Sequence, residues 1–257
     1  MKVAIIGHGA IASYVRKALD QYGVAEVAEV VRPGKEATGV TPKISDLRDL
    51  PAAPNLVVDC GGHSALSTHG PIALGQGIDI LTVSLGALAD ADLYDRLLSQ
   101  AIAGGSRLHL TSGAIGALDA LRAASKSAME AVTCAGRKPP LGWMGSPAEE
   151  KFELYALDKE AQHFSGTARR AALDYPKNAN VAAAVALAGI GFDETQVALI
   201  ADPTIKTNVH EIDAKGDFGE FRFTISGNSL PDNPRSSALT AMSVIAELAE
   251  RKKRVGF

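Results

Sequence analysis

Only two cysteines, Cys60 and Cys134, occur in the 257 residues. Two thiols cannot build a disulfide framework, so the expected compartment is reducing and cytoplasmic. Aromatic residues are scarce at 5%, with a single tryptophan. That excludes the stacking platforms that grip single-stranded nucleic acid. A formal charge of −3 leaves no general cationic excess, and no nucleic-acid partner is expected. No apolar run reaches the roughly 20 residues needed to cross a bilayer, so no membrane partner is expected either. The opening MKVAIIGHGAIA has one lysine and four apolar residues before its glycines, too short a stretch for a secretory leader. Fixed-period repeats and low-complexity tracts are also missing. His8, His63, His69 and His109 show no ligand spacing with cysteines or carboxylates, so no metal site is expected.

What is present is ordinary globular material: 46% hydrophobic and 21% charged residues, enough for a sizeable core without staples. At roughly 150 residues per domain the length lies between one domain and two. Continuous apolar strands are expected at 2–6, 24–31, 55–60, 78–83 and 107–111, with helices at 10–21, 64–74 and 90–103 between them. Pro71 threatens to kink or split the second helix. Unalternating strands separated by helices indicate a parallel sheet covered on both faces, a doubly wound α/β domain. The rhythm then changes. A helix is expected at 116–129, strands at 130–136 and 162–166, and helices at 167–174 and 178–189. Three strands follow at 196–201, 206–214 and 219–226, separated by Asp202-Pro203 and Gly216-Asp217. Short turns between close strands suggest a second, α+β domain with a mainly antiparallel sheet. The last expected helix, 238–254, has an apolar stripe of Leu239, Met242, Ile245, Ala246 and Leu248 and a basic end of Arg251 to Arg254. That end reads as a solvated helix terminus. Residues 1–112 are therefore expected to form one domain, completed by the C-terminal helix 236–257, with residues 113–235 as the other, because a long apolar stripe needs a partner face.

Gly7-His8-Gly9-Ala10-Ile11-Ala12 follows the first strand and opens the first helix, the setting of a Rossmann-type dinucleotide fingerprint. Gly7 suits the tight turn, Gly9 lets backbone approach a pyrophosphate, and Ala12 stands for the third glycine. The amides of Ala10 and Ile11 would then face the phosphates. The second strand ends Val30-Val31-Arg32-Pro33, with Glu29 short of the end. Arg32 is a candidate partner for a 2′-phosphate, so NADP, alone or with NAD, is the expected cofactor. Cys60-Gly61-Gly62-His63 lies at the carboxyl end of a parallel strand, where doubly wound sheets bind ligands. Gly61 is a cofactor candidate there, and Cys60 is either a nucleophile or a small packing residue. In Gly136-Arg137-Lys138-Pro139-Pro140 the two cations either receive substrate carboxylates or are solvated. In the turn 174–181, one of Asn178 and Asn180 is expected to cap a helix and the other to bond a ligand. His210 shares a strand face with Asn208 and Ile212 and is either structural or an acid–base group.

These segments together resemble the L-aspartate dehydrogenase family over essentially the whole chain. The likeness rests on GHGAIA, VDCGGHSAL, TVSLGALAD, TSGAIGALDAL, GRKPP, FSGTARRAALDYPKNANVAAAVALAG, LIADPTIKTNVHEI and NPRSSALTAMSV. The resemblance implies oxidation of L-aspartate to iminoaspartate, which hydrolyses to oxaloacetate and ammonia or passes to NAD biosynthesis. It implies His210 as the active-site residue, as an acid–base or as an imidazolium binding a carboxylate. It also implies Ala114 and Asn180 as nicotinamide contacts, with Lys138 the weaker candidate for a substrate carboxylate. A homodimer through the second-domain sheet is expected on the same ground. Two other readings remain open at this point: a dehydrogenase of another small acid or aldehyde using Cys60, and a non-catalytic NAD(P)-binding sensor.

Overall fold

The computed structural model describes residues 1–231 and 233–256. Asp232 and Phe257, which fall inside the expected domain ranges, lie outside the described residues. The chain divides into two compact units, Met1–Thr111 with Thr240–Phe257, and Ser112–Leu239.

The first unit is built from β1 (Lys2–Ile6), α1 (Ala10–Ala18), β2 (Ala25–Val30), β3 (Lys43–Ile44), β4 (Leu56–Asp59), α2 (His63–Gly75), β5 (Ile80–Thr82), α3 (Ala91–Gly104) and β6 (Leu108–Leu110). Its six strands are all parallel, in the order β3-β2-β1-β4-β5-β6. The order reverses beside β1, the place where such sheets take ligands at their carboxyl edge. Val3, Ile5, Leu56, Val58 and Leu81 share one face, where they pack with Ala12 and Val15 of α1. Val244 and Leu248 of the C-terminal helix (Ala238–Glu250) join that same core.

Three expectations change in this unit. Helix α2 runs unbroken through Pro71. Proline has no N–H for the carbonyl four residues back, and Arg96 Nη2 of α3 supplies that carbonyl, Ser67 O, with a donor at 3.1 Å. The C-terminal helix buries Ala241, Val244 and Leu248 while Met242 and Ala246 are exposed, so the buried stripe is rotated from the expected one. The basic cluster lies beyond the helix end rather than in its last turn. Lys252 Nζ donates to Tyr22 O at 2.5 Å, and Lys253 pairs with Glu250 at 2.8 Å.

The second unit contains α4 (Leu118–Ala124), β7 (Met129–Lys138), β8 (Ala161–Thr167), α5 (Ala168–Asp174), α6 (Asn180–Ala188), β9 (Gln196–Ala201), β10 (Asn208–Gly216) and β11 (Gly219–Gly227). A two-stranded piece, β12 (Ser229–Leu230) with β13 (Asn233–Ser237), follows. The expected helix 116–129 shrinks to α4 because Met129 already begins β7. The five-stranded sheet runs β11-β10-β7-β9-β8. The expected neighbours β9 and β10 are separated by β7: β9 lies parallel to β7 on one side and β10 antiparallel on the other. The sheet is thus mixed, with one parallel pair among antiparallel ones. Burial alternates along β10, with His210, Ile212 and Ala214 inward. On β7, Val132, Cys134, Gly136 and Lys138 are buried. The almost wholly buried α6, an Ala/Val helix, belongs to the same unit.

Candidate functional site

In the first unit, a cavity of about 790 Å³ opens at the carboxyl edge of the sheet. Gly7, Gly9, Arg32 and Gly61 line it, and Ala10 and Ile11 form the first turn of α1 beside Gly9. Gly7 has φ +105°, and a Cβ there would stand 2.9 Å from the carbonyl oxygen of Cys60, so only glycine fits. At Gly9 an added Cβ meets nothing within 4 Å; the backbone faces open space, as a cradle for a phosphate requires. Ala12 is fully buried, consistent with close packing at the third position of the fingerprint. Ile11 packs partly into the core, so its contribution to the cradle is its backbone amide. These residues fit a dinucleotide.

Sequence reasoning missed what holds this turn. Asp59, fully buried at the end of β4, accepts from Gly61 N–H at 2.9 Å, Thr82 Oγ1 at 2.6 Å and Ser84 Oγ at 2.7 Å. Burial raises its carboxyl above the ordinary range against the pull of those bonds. The available signal was an acid closing an apolar strand in LVVDCGG. Burial, reinforced by the Asp59 carboxylate, pushes the Cys60 thiol far up. A thiol held protonated is a poor nucleophile, which favours the packing reading for Cys60 in the cavity wall.

The end of the cavity beside β2 is cationic. Arg32, Lys35, Lys43 and Ser45 line it together; the last three were not singled out from the sequence. Glu29, buried at the end of β2, is engaged by His8, by Lys43 at 3.2 Å and by Arg16 at 3.5 Å. Burial raises its pKa, but the His8 bond, the Arg16 charge and the Lys43 bond outweigh it and hold Glu29 below the usual value. Glu29 is therefore an ionised, internally compensated group.

In the second unit, His210 and Lys138 face the same covered side of the sheet. Cross-strand register pairs His210 with Gly136, two residues before Lys138. A Cβ on Gly136 would lie 3.6 Å from His210 Nδ1 and 3.3 Å from Leu199 Cδ2, so the missing side chain leaves the imidazole its space. His210 is 6% exposed, and its Nδ1 has no hydrogen-bond partner among the described residues. Burial first, then the Lys138 charge, push its pKa to about 3. His210 is a neutral imidazole at neutral pH, which sets aside the free-state imidazolium reading.

Lys138 is 7% exposed and far from solvated. Its Nζ donates to Asn178 Oδ1 at 2.7 Å and lies 4.8 Å from the centre of the Trp143 ring. Burial holds its ammonium at about 8. Its neighbour Arg137 points to the opposite face, bonding Glu160 at 2.6 Å and Glu211 at 3.3 Å. Neither asparagine of the 174–181 turn caps α6: the N-cap is Ala179, with no capping side chain. Asn178 instead serves Lys138, and Asn180 is the first helical residue. Ala114 sits in the turn between Gly113, at φ +66°, and the buried Ile115. Trp143, His163 and Tyr175 complete the surroundings, with His163 Nδ1 3.2 Å from Tyr175 Oη and edge-on to Trp143. The lone tryptophan was the signal for this cluster.

Comparison with known proteins follows the same division. Residues 119–251 match the family model described as aspartate dehydrogenase, C-terminal, and residues 7–111 match the NAD-binding domain of homoserine dehydrogenase. The chain is 55% identical to an L-aspartate dehydrogenase of Ruegeria pomeroyi, covering 98% of this chain and 92% of the relative. It is 46% identical to that of Pseudomonas aeruginosa, covering 96% of each. In fold it is similar to the crystal structure of aspartate dehydrogenase from Thermotoga maritima, with a TM-score of 0.80 at 24% identity over 100% of this chain and 99% of that one.

Proposed function

The chain belongs to the L-aspartate dehydrogenase family and is an NAD(P)-dependent oxidoreductase acting on the CH–NH2 group of an amino acid, and from that premise we propose how its residues divide the work. The substrate is L-aspartate, oxidised to iminoaspartate. A nicotinamide cofactor, when bound, would supply the acceptor for the hydride that leaves the substrate Cα. Gly7, Gly9, Gly61 and the first amides of α1 at Ala10 and Ile11 would hold the pyrophosphate, and Ala114 and Asn180 would be nicotinamide contacts. Lys138 receives a substrate carboxylate through a charge-assisted bond. His210 takes a proton at Nδ1 from the substrate ammonium, leaving the lone pair on nitrogen from which the imine forms. The unpartnered, buried Nδ1 carries this reading, since a buried polar atom without a partner costs free energy unless a ligand supplies one.

For the cofactor we infer acceptance of NADP alongside NAD. The support is the cationic lining of Arg32, Lys35 and Lys43 together with the compensated Glu29, which neither reaches for a free 2′-hydroxyl nor repels a phosphate. The first unit is then the cofactor domain completed by the C-terminal helix, and the second is the substrate and dimerisation domain. A homodimer would use the sheet face opposite His210, where Ala131, Thr133, Asp213 and Arg222 line an open groove of about 490 Å³. No helix among the described residues is long and apolar enough to cross a membrane, and two free cysteines suit a cytoplasmic setting. The deciding experiment follows absorbance at 340 nm with oxaloacetate, ammonia and either NADPH or NADH. Consumption with both cofactors is expected. Cofactor binding without turnover would overturn the enzymatic reading, and turnover with NADH alone would overturn NADP acceptance.

A further inference from the structure

Lys138 and His210 raise a question that their separate roles do not answer. A buried ammonium normally has a counter-ion, yet among the described residues no carboxylate pairs with Lys138. Its contacts are a neutral amide oxygen and an aromatic face. The imidazole beside it has an orphaned nitrogen. His210 stands opposite Gly136, one side-chain position along the same face from Lys138, and residues two apart on a strand stand roughly 7 Å apart. Two cationic or potentially cationic groups are thus held close, in a covered place, with no anion.

We propose that Lys138 gates His210: the histidine becomes a proton acceptor only once a carboxylate of the bound substrate has paired with the Lys138 ammonium. The inference rests on the reading of His210 as the proton acceptor and adds the condition under which it works. Without substrate, the Lys138 charge repels a second positive charge, and His210 stays neutral and unreactive toward solvent protons. A dicarboxylate brings the missing anion and cancels that repulsion. The proton then passes from the substrate ammonium to Nδ1: one N–H bond breaks, one forms, and the electron pair stays on the substrate nitrogen. A monocarboxylate that cannot reach Lys138 leaves His210 unable to hold a proton, which selects for acids with a second carboxylate.

The groups facing His210 from other elements are few. Lys138 of β7 is the one whose charge acts on it. From β11, its cross-strand partner is Ile225, and Leu199 of β9 stands over the same Gly136 position as the imidazole. Arg137 and Glu211 alternate onto the other face. His163 of β8 lies near Lys138 as well, and its pKa is pushed to about 4 by burial and then by the charges of Lys151 and Lys138. It therefore serves as a second reporter of the same ammonium.

The test is a histidine-labelled NMR titration with succinate, an unreactive dicarboxylate with no amine to oxidise. In the wild-type protein succinate should raise the His210 pKa by at least about one pH unit, as expected when a nearby charge is compensated. In Lys138→Met the value should already be raised without succinate, and succinate should add little. Lys138→Arg keeps the charge and should hold His210 low, and it preserves the test if the methionine variant does not fold. In the Lys138→Met protein His163 should shift upward with His210. Equal responses to succinate in the wild-type and Lys138→Met proteins, or no response when succinate competes with aspartate, would overturn the gate, as would failure of succinate to bind. Absence of wild-type turnover in the 340 nm assay would instead remove the underlying reading, whatever the titration shows.

Discussion

At the scale of single residues, burial governs what each group can do. His210 is forced neutral by its surroundings, so in the free protein it does not bind an anion by charge, and it takes up a proton once the Lys138 charge is compensated. His210→Ala should lower kcat by roughly 10²- to 10⁴-fold, the usual range for losing a positioned acid–base group. The folded state and NADPH binding should survive, as read by circular dichroism and cofactor fluorescence. Retained turnover would remove the assignment. At the other candidate end, Arg32→Ala should raise KM for NADP by about tenfold while changing KM for NAD little, since a bond to a charged partner is worth about 1.5–3 kcal/mol. Steady-state kinetics with both cofactors check this, and equal effects would mean that Arg32 does not read the phosphate. The sequence exposed the residue types at both places. It did not reveal their partners: Asn178 and Trp143 come to Lys138, and Lys43 to Glu29, from separate segments. Such pairings exist only once the chain has folded.

At the scale of elements, what was legible was repetitive and local. The parallel strands of the first unit showed as apolar runs bounded by glycine, and the fingerprint at Gly7 announced the first crossover. The two-residue strand β3 was too short to carry any periodicity. The neighbours of β9 and β10 depend on which strand slides between them, and turn residues say nothing about that. Pro71 was misjudged because its effect hinges on a residue 25 positions away. Arg96 satisfies the carbonyl that the proline ring leaves without a donor. Arg96→Ala should accordingly cost about 0.5–1.5 kcal/mol in urea unfolding, the typical net worth of a hydrogen bond. In a Pro71→Ala background the same change should cost less, because alanine returns an N–H to Ser67 O. A double-mutant cycle reads the coupling, and strictly additive effects would show that Arg96 does not compensate the proline.

At the scale of the whole molecule, stability and folding depend on groups far apart in the chain. His210 and His163 lie at about 3 and about 4 in the folded protein, below the ordinary 6.5. Between those values the unfolded chain binds more protons than the folded one, so stability is lost as pH falls below 6.5 toward the folded values. Thermal unfolding should show Tm dropping over that interval, and His163→Gln should flatten the drop. The C-terminal helix matters in another way. Leu248→Ala should cost about 2–5 kcal/mol in denaturant unfolding, as for other fully buried leucines. Its core partners, Val3 and Ile5, are the first apolar residues of the sheet. On a ribosome, where synthesis proceeds at about 5–20 residues per second, the second unit is fully made while the first still lacks part of its packing. The nascent first unit must therefore wait, with one sheet face incompletely covered, for the closing helix to emerge. Chaperone capture of growing chains should thus concentrate on lengths that end before residue 240.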